Sequence, residues 1–144
     1  MSTTIDDCRI IELGRHHGAT GNITVVENGK TIDFDMKRVF FIYDIPGGAT
    51  RGAHAHKTLR ELIIAATGSF DVRVYDGERE KTIHLNHPSQ ALYLPCGVWE
   101  ELNNFSSGSI ALVIASAPYN PKDYYRNQEE FLEFKKHNDT IPST

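Results

Sequence analysis

Cysteine is scarce in this chain. Cys8 and Cys96 stand far apart and form no CxxC pair. That excludes the paired-thiol chemistry of such a motif and leaves two free thiols in a reducing compartment as the expectation. Long apolar runs are missing too: none approaches the length that spans a bilayer. The opening stretch Met1–Asp7 has neither the basic nor the apolar region of a secretory signal. A cytoplasmic protein without a membrane partner is therefore expected. Positive charge is not in excess, with 15 Lys and Arg against 19 Asp and Glu and a formal charge of -4. This argues against a general nucleic-acid surface while leaving room for a local basic pocket. Short repeats and low-complexity segments are also absent.

What is present suits one soluble domain. Hydrophobic residues make up 40% and charged residues 24% of the 144 residues, enough to bury a core without covalent staples. We expect a single domain over residues 1–144, with its core at about 8–136 and a loose polar tail from His137 to Thr144.

Most of the chain divides into short β-rich runs broken by turn residues. Ile23 to Glu27 is such a run, closed by Asn28-Gly29 as a hairpin signal. Lys37 to Tyr43 is β-branched and aromatic, and Pro46-Gly47-Gly48 stops it. Leu59 to Ala66, Phe70 to Tyr75, Arg79 to Leu85 and Ala91 to Leu94 follow. Ile110 to Ala115 is apolar on both faces, as a buried strand is. Only Gln128 to Lys136 has a helical pattern, with Phe131, Leu132 and Phe134 among charges. Many short strands and one late helix predict an all-β jelly roll of two antiparallel sheets.

One stretch carries chemistry. His54 and His56 lie two apart on an extended segment and so share a face. Glu61 arrives on what is expected to be the next strand. Glu100 follows the Pro95-x-Gly97 turn, beside Glu101, so either of the two can face inward. His16, His17, His84, His87 and His137 have no partner at ligand spacing. Trp99 is expected in the core or as an interface plug.

The spacing Gly48-x5-His54-x-His56-x4-Glu61-x6-Gly68 matches the first cupin signature, and Pro95-x-Gly97-x2-Glu100-x3-Asn104 resembles the second. There Glu100 stands in place of a histidine and Ser89 in place of a glycine. More closely, Arg51-Gly52-Ala53-His54-Ala55-His56-Lys57 resembles the RGxHAHK motif of the sugar 3,4-ketoisomerases (FdtA-like, WxcM-like cupins). Lys37-Arg38-Val39, Gly97-Val98-Trp99, Asn104-Phe105-Ser106, Ala115-Ser116 and Asp123-Tyr124-Tyr125-Arg126-Asn127 extend the match from about Ile10 to Phe134.

This resemblance implies a cupin jelly roll with a short C-terminal helix, assembled as a homodimer. It also implies a dTDP-linked 4-keto-6-deoxy sugar as substrate, in deoxysugar and O-antigen biosynthesis, and no cofactor. By carry-over His54 is the catalytic base, and His56 orients the substrate or relays a proton. Arg51, with Arg38 and Arg126, suits the diphosphate or a developing oxyanion, and Glu61 and Glu100 complete the substrate pocket. Two departures matter. Phe40 and Phe41 replace tyrosines usual in the family, and Thr20 aligns where an arginine or tyrosine helps set stereochemistry. Glu61 and Glu100 also open a second reading. With His54 and His56 they form a credible site for a divalent first-row metal ion. A third is a sugar-nucleotide-binding module without activity.

Overall fold

Alternation of apolar and polar residues turns most of the chain into half-buried strands. The computed structural model describes residues 2–140, with the backbone alone at 138–140. In chain order the strands are β1 (Arg9–Glu12), β2 (His16–Gly18), β3 (Gly21–Ile23), β4 (Arg38–Ile42), β5 (Arg51–His56), β6 (Glu61–Thr67) and β7 (Phe70–Tyr75). Then come β8 (Glu80–Leu85), β9 (Gln90–Leu94), β10 (Trp99–Asn103), β11 (Ile110–Ala115) and β12 (Tyr124–Tyr125), and finally the helix α1 (Gln128–Thr140).

Ten of the strands form two five-stranded antiparallel sheets, ordered β1-β9-β6-β11-β4 and β12-β5-β10-β7-β8, and β2 and β3 pair by themselves. This is the jelly roll expected. The inner faces meet in a core of Ile63 and Ala65, Leu92 and Leu94, and Ala111 and Val113 from one sheet. Phe70, Val72, Val74, Leu85 and Leu102 come from the other. Strand β7 shows the cause: Phe70, Val72 and Val74 are buried, and the residues between them are half-buried. The outer face of the first sheet is covered by Ile32 and Phe34, packed on Leu62, Ile64, Tyr93 and Ile114. The outer face of the second is covered by α1, whose Phe131 sits against Ala55 and Trp99. Trp99 is thus a core residue.

Two expectations change. The hairpin is not at Asn28-Gly29. It joins β2 to β3 through Ala19-Thr20, with Gly18 paired to Gly21. Gly21, with φ of +134°, takes a backbone angle there that a side chain resists. Residues 24–27 form no strand, because this segment serves as a lid over the first sheet. The helix also continues beyond Lys136 to Thr140, so residues 137–140 of the expected loose tail are helical; 141–144 lie outside the described residues. Among the described residues no helix is long and apolar enough to cross a membrane.

Gly68 closes the first motif for a steric reason. Its φ is +71°, and a Cβ there would lie 2.5 Å from Ser106 Oγ and 2.8 Å from Ser109 Cα. The β6–β7 turn is pinned to that serine loop by Ser69 N donating to Ser106 Oγ at 2.9 Å.

Phe131 is fully buried and holds α1 on the second sheet, 5.8 Å from Trp99 between ring centroids. Phe131→Ala is expected to cost about 3–5 kcal/mol, as aromatic truncation in a packed core does. Urea unfolding followed by Trp99 fluorescence checks it.

Candidate active site

The pocket lies between the sheets, at the end where β5, β10 and β6 bring polar residues inward. Strand β5 is not a regular strand. Gly52 and Ala53 both take positive φ, +84° and +57°. Opposite them the pairing with β10 shifts, so that Glu100 pairs with His54 and Glu101 with Gly52. Such a bulge re-aims the side chains that follow it. Glycine is required at 52 by close approach as well, since a Cβ would lie 3.2 Å from the Glu100 carbonyl oxygen. Past the bulge, His54 and His56 point into the cavity together, with ring centroids 4.8 Å apart.

Strand register settles the two carboxylates. Glu61 shares the inner face of β6 with Ile63 and Ala65 and is 3% exposed. Glu100 lies on the inner face of β10 and is also 3% exposed. Its neighbour Glu101 turns to the other face, where Arg73 bridges it to Glu80. His54 Nε2 lies 2.7 Å from Glu100 Oε1, and His56 Nδ1 lies 3.8 Å from Glu61 Oε1.

The cavity holds about 610 Å³ and is lined by His54, His56, Glu61, Glu100, Arg51, Arg126 and Tyr124, with Phe40, Ile63, Leu102 and Val113 as its apolar walls. The structure thus brings together six of the seven side chains expected from sequence. Arg38 stands just behind the lining. Its guanidinium lies over the rings of Phe40 (5.1 Å) and Tyr119 (5.6 Å), and its buried Nε has no hydrogen-bond partner among the described residues. Its charge still reaches the site, acting on His56 and Glu61. Thr20 is on the exposed turn of the β2–β3 hairpin and is not part of the lining. His16, His17, His84, His87 and His137 are exposed and outside this pocket.

Burial dominates the electrostatics. It pushes Glu61 well above the ordinary carboxyl range, and the nearby Glu100 charge and a hydrogen bond with Glu100 push it further. Glu100 is raised by burial to about 7. Two carboxyl groups that hydrogen-bond to each other need a proton between them. His56 is lowered to about 3, first by burial and then by the positive charge of His54, Arg38 and Arg126. Burial also lowers His54, against the pull of Glu61 and a hydrogen bond to the Gly52 backbone. Burial at the floor of the pocket therefore favours neutral imidazoles and keeps a proton on the carboxyl pair, most strongly at Glu61. His54, His56 and Glu100 also bring ligand atoms within 4.8 Å of one another. Glu61 is outside that set.

Tyr124 is the pocket residue that the sequence reading did not single out. Its ring lies 5.0 Å from His54 and 4.6 Å from His56. It sits on a two-residue strand, too short to show periodicity. The only local signal is its place in the Asp123-to-Asn127 motif.

With this architecture the molecule falls among the cupin-like two-sheet proteins. The family model described as FdtA: WxcM-like, C-terminal, matches residues 6–136. A TDP-4-oxo-6-deoxy-alpha-D-glucose-3,4-oxoisomerase of Aneurinibacillus thermoaerophilus is 34% identical over 126 residues, covering 88% of this chain and 91% of that protein. A histidine-to-asparagine mutant of the 3,4-ketoisomerase QdtA from Thermoanaerobacterium thermosaccharolyticum, in complex with TDP-4-keto-6-deoxyglucose, superposes with a TM-score of 0.90. It is 34% identical, over 93% of this chain and 97% of that one. A TDP-quinovose 3,4-ketoisomerase from Campylobacter jejuni has a TM-score of 0.85 and 40% identity, over 90% and 99%. The chain belongs to the FdtA family of sugar 3,4-ketoisomerases.

The raised carboxyl pair sets a pH dependence of stability. An unfolded Glu61 releases its proton near the ordinary value of 4.5, whereas the folded one keeps it to well above that. Between those limits the folded state binds the extra proton, so rising pH destabilises it. Glu61→Gln removes this loss. The melting-temperature difference, variant minus wild type, is expected to grow by a few degrees from pH 5 to pH 9. A difference that stays flat across that range contradicts the buried, protonated pair.

Proposed function

We propose that the protein interconverts the keto and hydroxyl groups at C4 and C3 of a dTDP-linked 4-keto-6-deoxyhexose, with His54 as the base. The observation that carries this reading is the His54–Glu100 contact of 2.7 Å in a pocket that Arg51 and Arg126 also line. The C4 carbonyl acidifies the C3–H bond. His54, neutral in this pocket, accepts that proton, and the electron pair moves into an enediolate. The O3 hydroxyl proton passes to O4, C4 takes up a proton, and C3 becomes the carbonyl. No hydride acceptor is needed. Glu100 and Glu61 hold a proton next to His54, so the imidazole has a nearby acid with which to exchange it. His56 stays neutral and is suited to hydrogen-bonding a sugar oxygen. Arg51 and Arg126 at the mouth suit the diphosphate, and Arg38 adds positive potential from behind the wall. The apolar stretch of Phe40, Ile63, Leu102 and Val113 excludes water from the enediolate.

A second reading, a metal-dependent cupin enzyme, is favoured by the three ligand atoms of His54, His56 and Glu100. An ion held there would act as a Lewis acid on a sugar oxygen. The direct imidazole–carboxyl contact favours the proton-transfer reading, because it sets the base against a group that can exchange a proton with it. In this reading the reaction serves deoxysugar and O-antigen assembly in the cytoplasm, and the enzyme is a homodimer. An exposed apolar row of Val39 and Phe41 on the edge strand β4 and Tyr43 just past its end supports a subunit contact.

The test is NMR of dTDP-4-oxo-6-deoxy-glucose incubated with the protein in deuterated water. Wild type is expected to form the 3-keto product with deuterium at C4. His54→Asn is expected to lower turnover by at least a thousandfold with its melting temperature kept. Near-wild-type turnover in that variant sinks the base assignment. Tight binding of the sugar nucleotide without deuterium entry identifies a silent binding module instead. Protein dialysed against chelator is expected to keep full activity; loss restored by a divalent ion favours the metal reading.

A further inference from the structure

The two imidazoles need something to stand against. His54 meets Glu100 at 2.7 Å, whereas His56 lies 3.8 Å from Glu61, beyond hydrogen-bond reach. The remaining ring contacts of both converge on one side chain, Tyr124. That residue is placed with unusual care for a two-residue strand. Tyr124 pairs directly with His56 and Tyr125 with Ala55, so Tyr124 shares the pocket face of the sheet. Tyr125 points the other way, 5.0 Å from Phe134 of α1 between ring centroids. Just before the strand, the Asp123 carboxylate accepts from the Thr58 amide at 3.0 Å, the Thr58 hydroxyl at 2.7 Å and the Leu59 amide at 3.1 Å. Lys57 N donates to the Asp123 carbonyl at 2.7 Å. These bonds staple β12 to the turn between β5 and β6, the segment that links His56 to Glu61.

From the mouth of the pocket the Arg126 guanidinium lies 4.2 Å over the Tyr124 ring, a cation–π contact. The ring is thus clamped by a strand, a carboxylate staple and a cation, and it packs at a steep angle against both imidazoles. A group that exchanges a proton with carbon must hold its orientation closely.

We propose that Tyr124 is a positioning residue of the ketoisomerase reaction, whose aromatic ring sets the orientation of His54 and His56 for proton transfer. This rests on the reading of His54 as the base. The ring and not the hydroxyl performs the task, since the contacts with both imidazoles are made by the ring.

Three variants test it. Tyr124→Phe is expected to keep kcat within threefold. Tyr124→Ala is expected to lower kcat at least thirtyfold while KM changes less than threefold. Tyr124→Leu, which fills the space without an aromatic edge, is expected to lie near Tyr124→Ala and serves if that variant fails to fold. A second readout does not depend on turnover. In protein with carbon-13-labelled histidine rings, Tyr124→Ala or Tyr124→Leu is expected to broaden or shift two ring signals, those of His54 and His56. Tyr124→Phe is expected to leave them in place. A loss in Tyr124→Phe as large as in Tyr124→Ala overturns the proposal in favour of hydroxyl chemistry. Wild-type kcat in folded Tyr124→Ala or Tyr124→Leu, a change confined to KM, or unmoved ring signals also overturns it. Absence of turnover in wild type, with the ring signals moving as expected, identifies a failure of the activity reading and not of the positioning role.

Discussion

The pairing of β5 with β10 is the constraint on which the site depends. A bulge at Gly52 and Ala53, opposite the shift between Glu100 and Glu101, decides which side chains enter the pocket. It costs about 1–3 kcal/mol to hold Ala53 in a left-handed conformation, and the surrounding sheet offsets that cost. In return His54 faces Glu100 across the two strands and Glu101 is sent to the opposite face, where Arg73 takes it. A register without the bulge would exchange these roles, because side chains alternate strictly along a strand.

From that pairing the electrostatics follow. Two carboxyl groups and two imidazoles, nearly sealed from water, cannot all be charged. The buried carboxyl groups keep protons to higher pH, and the imidazoles lose theirs at lower pH. The result is a neutral floor beneath a mouth with positive charge from Arg51 and Arg126. A neutral base under a cationic rim suits an anionic sugar nucleotide whose reacting carbons lie deeper than its phosphates.

Much of the fold was legible from local pattern. Phe70, Val72 and Val74 announce a half-buried strand, and Phe131 among charges announces a one-sided helix. The hairpin at Ala19-Thr20 was missed because the Asn28-Gly29 dipeptide is a stronger turn signal than the glycine pair that flanks the true turn. At the site, His54 and His56 were legible because one spacing aims both at one point. Whether Glu61 and Glu100 face inward was not, since alternation allows either face and Glu101 blurs the register. Tyr124 was hidden for a related reason. A two-residue strand has no period, and only its partner β5 reveals which way it faces.

By itself the sequence determined the residue types for proton transfer, their order along the chain, and the resemblance that joins them to a family. Those properties depend on composition and spacing, which are local. The tertiary structure alone decided that Glu100 touches His54, that Glu61 and Glu100 are buried in one pocket, and that Tyr124 closes on both imidazoles. Those properties depend on strand register between segments distant in the chain and on exclusion of water, which exist only once the two sheets have packed together.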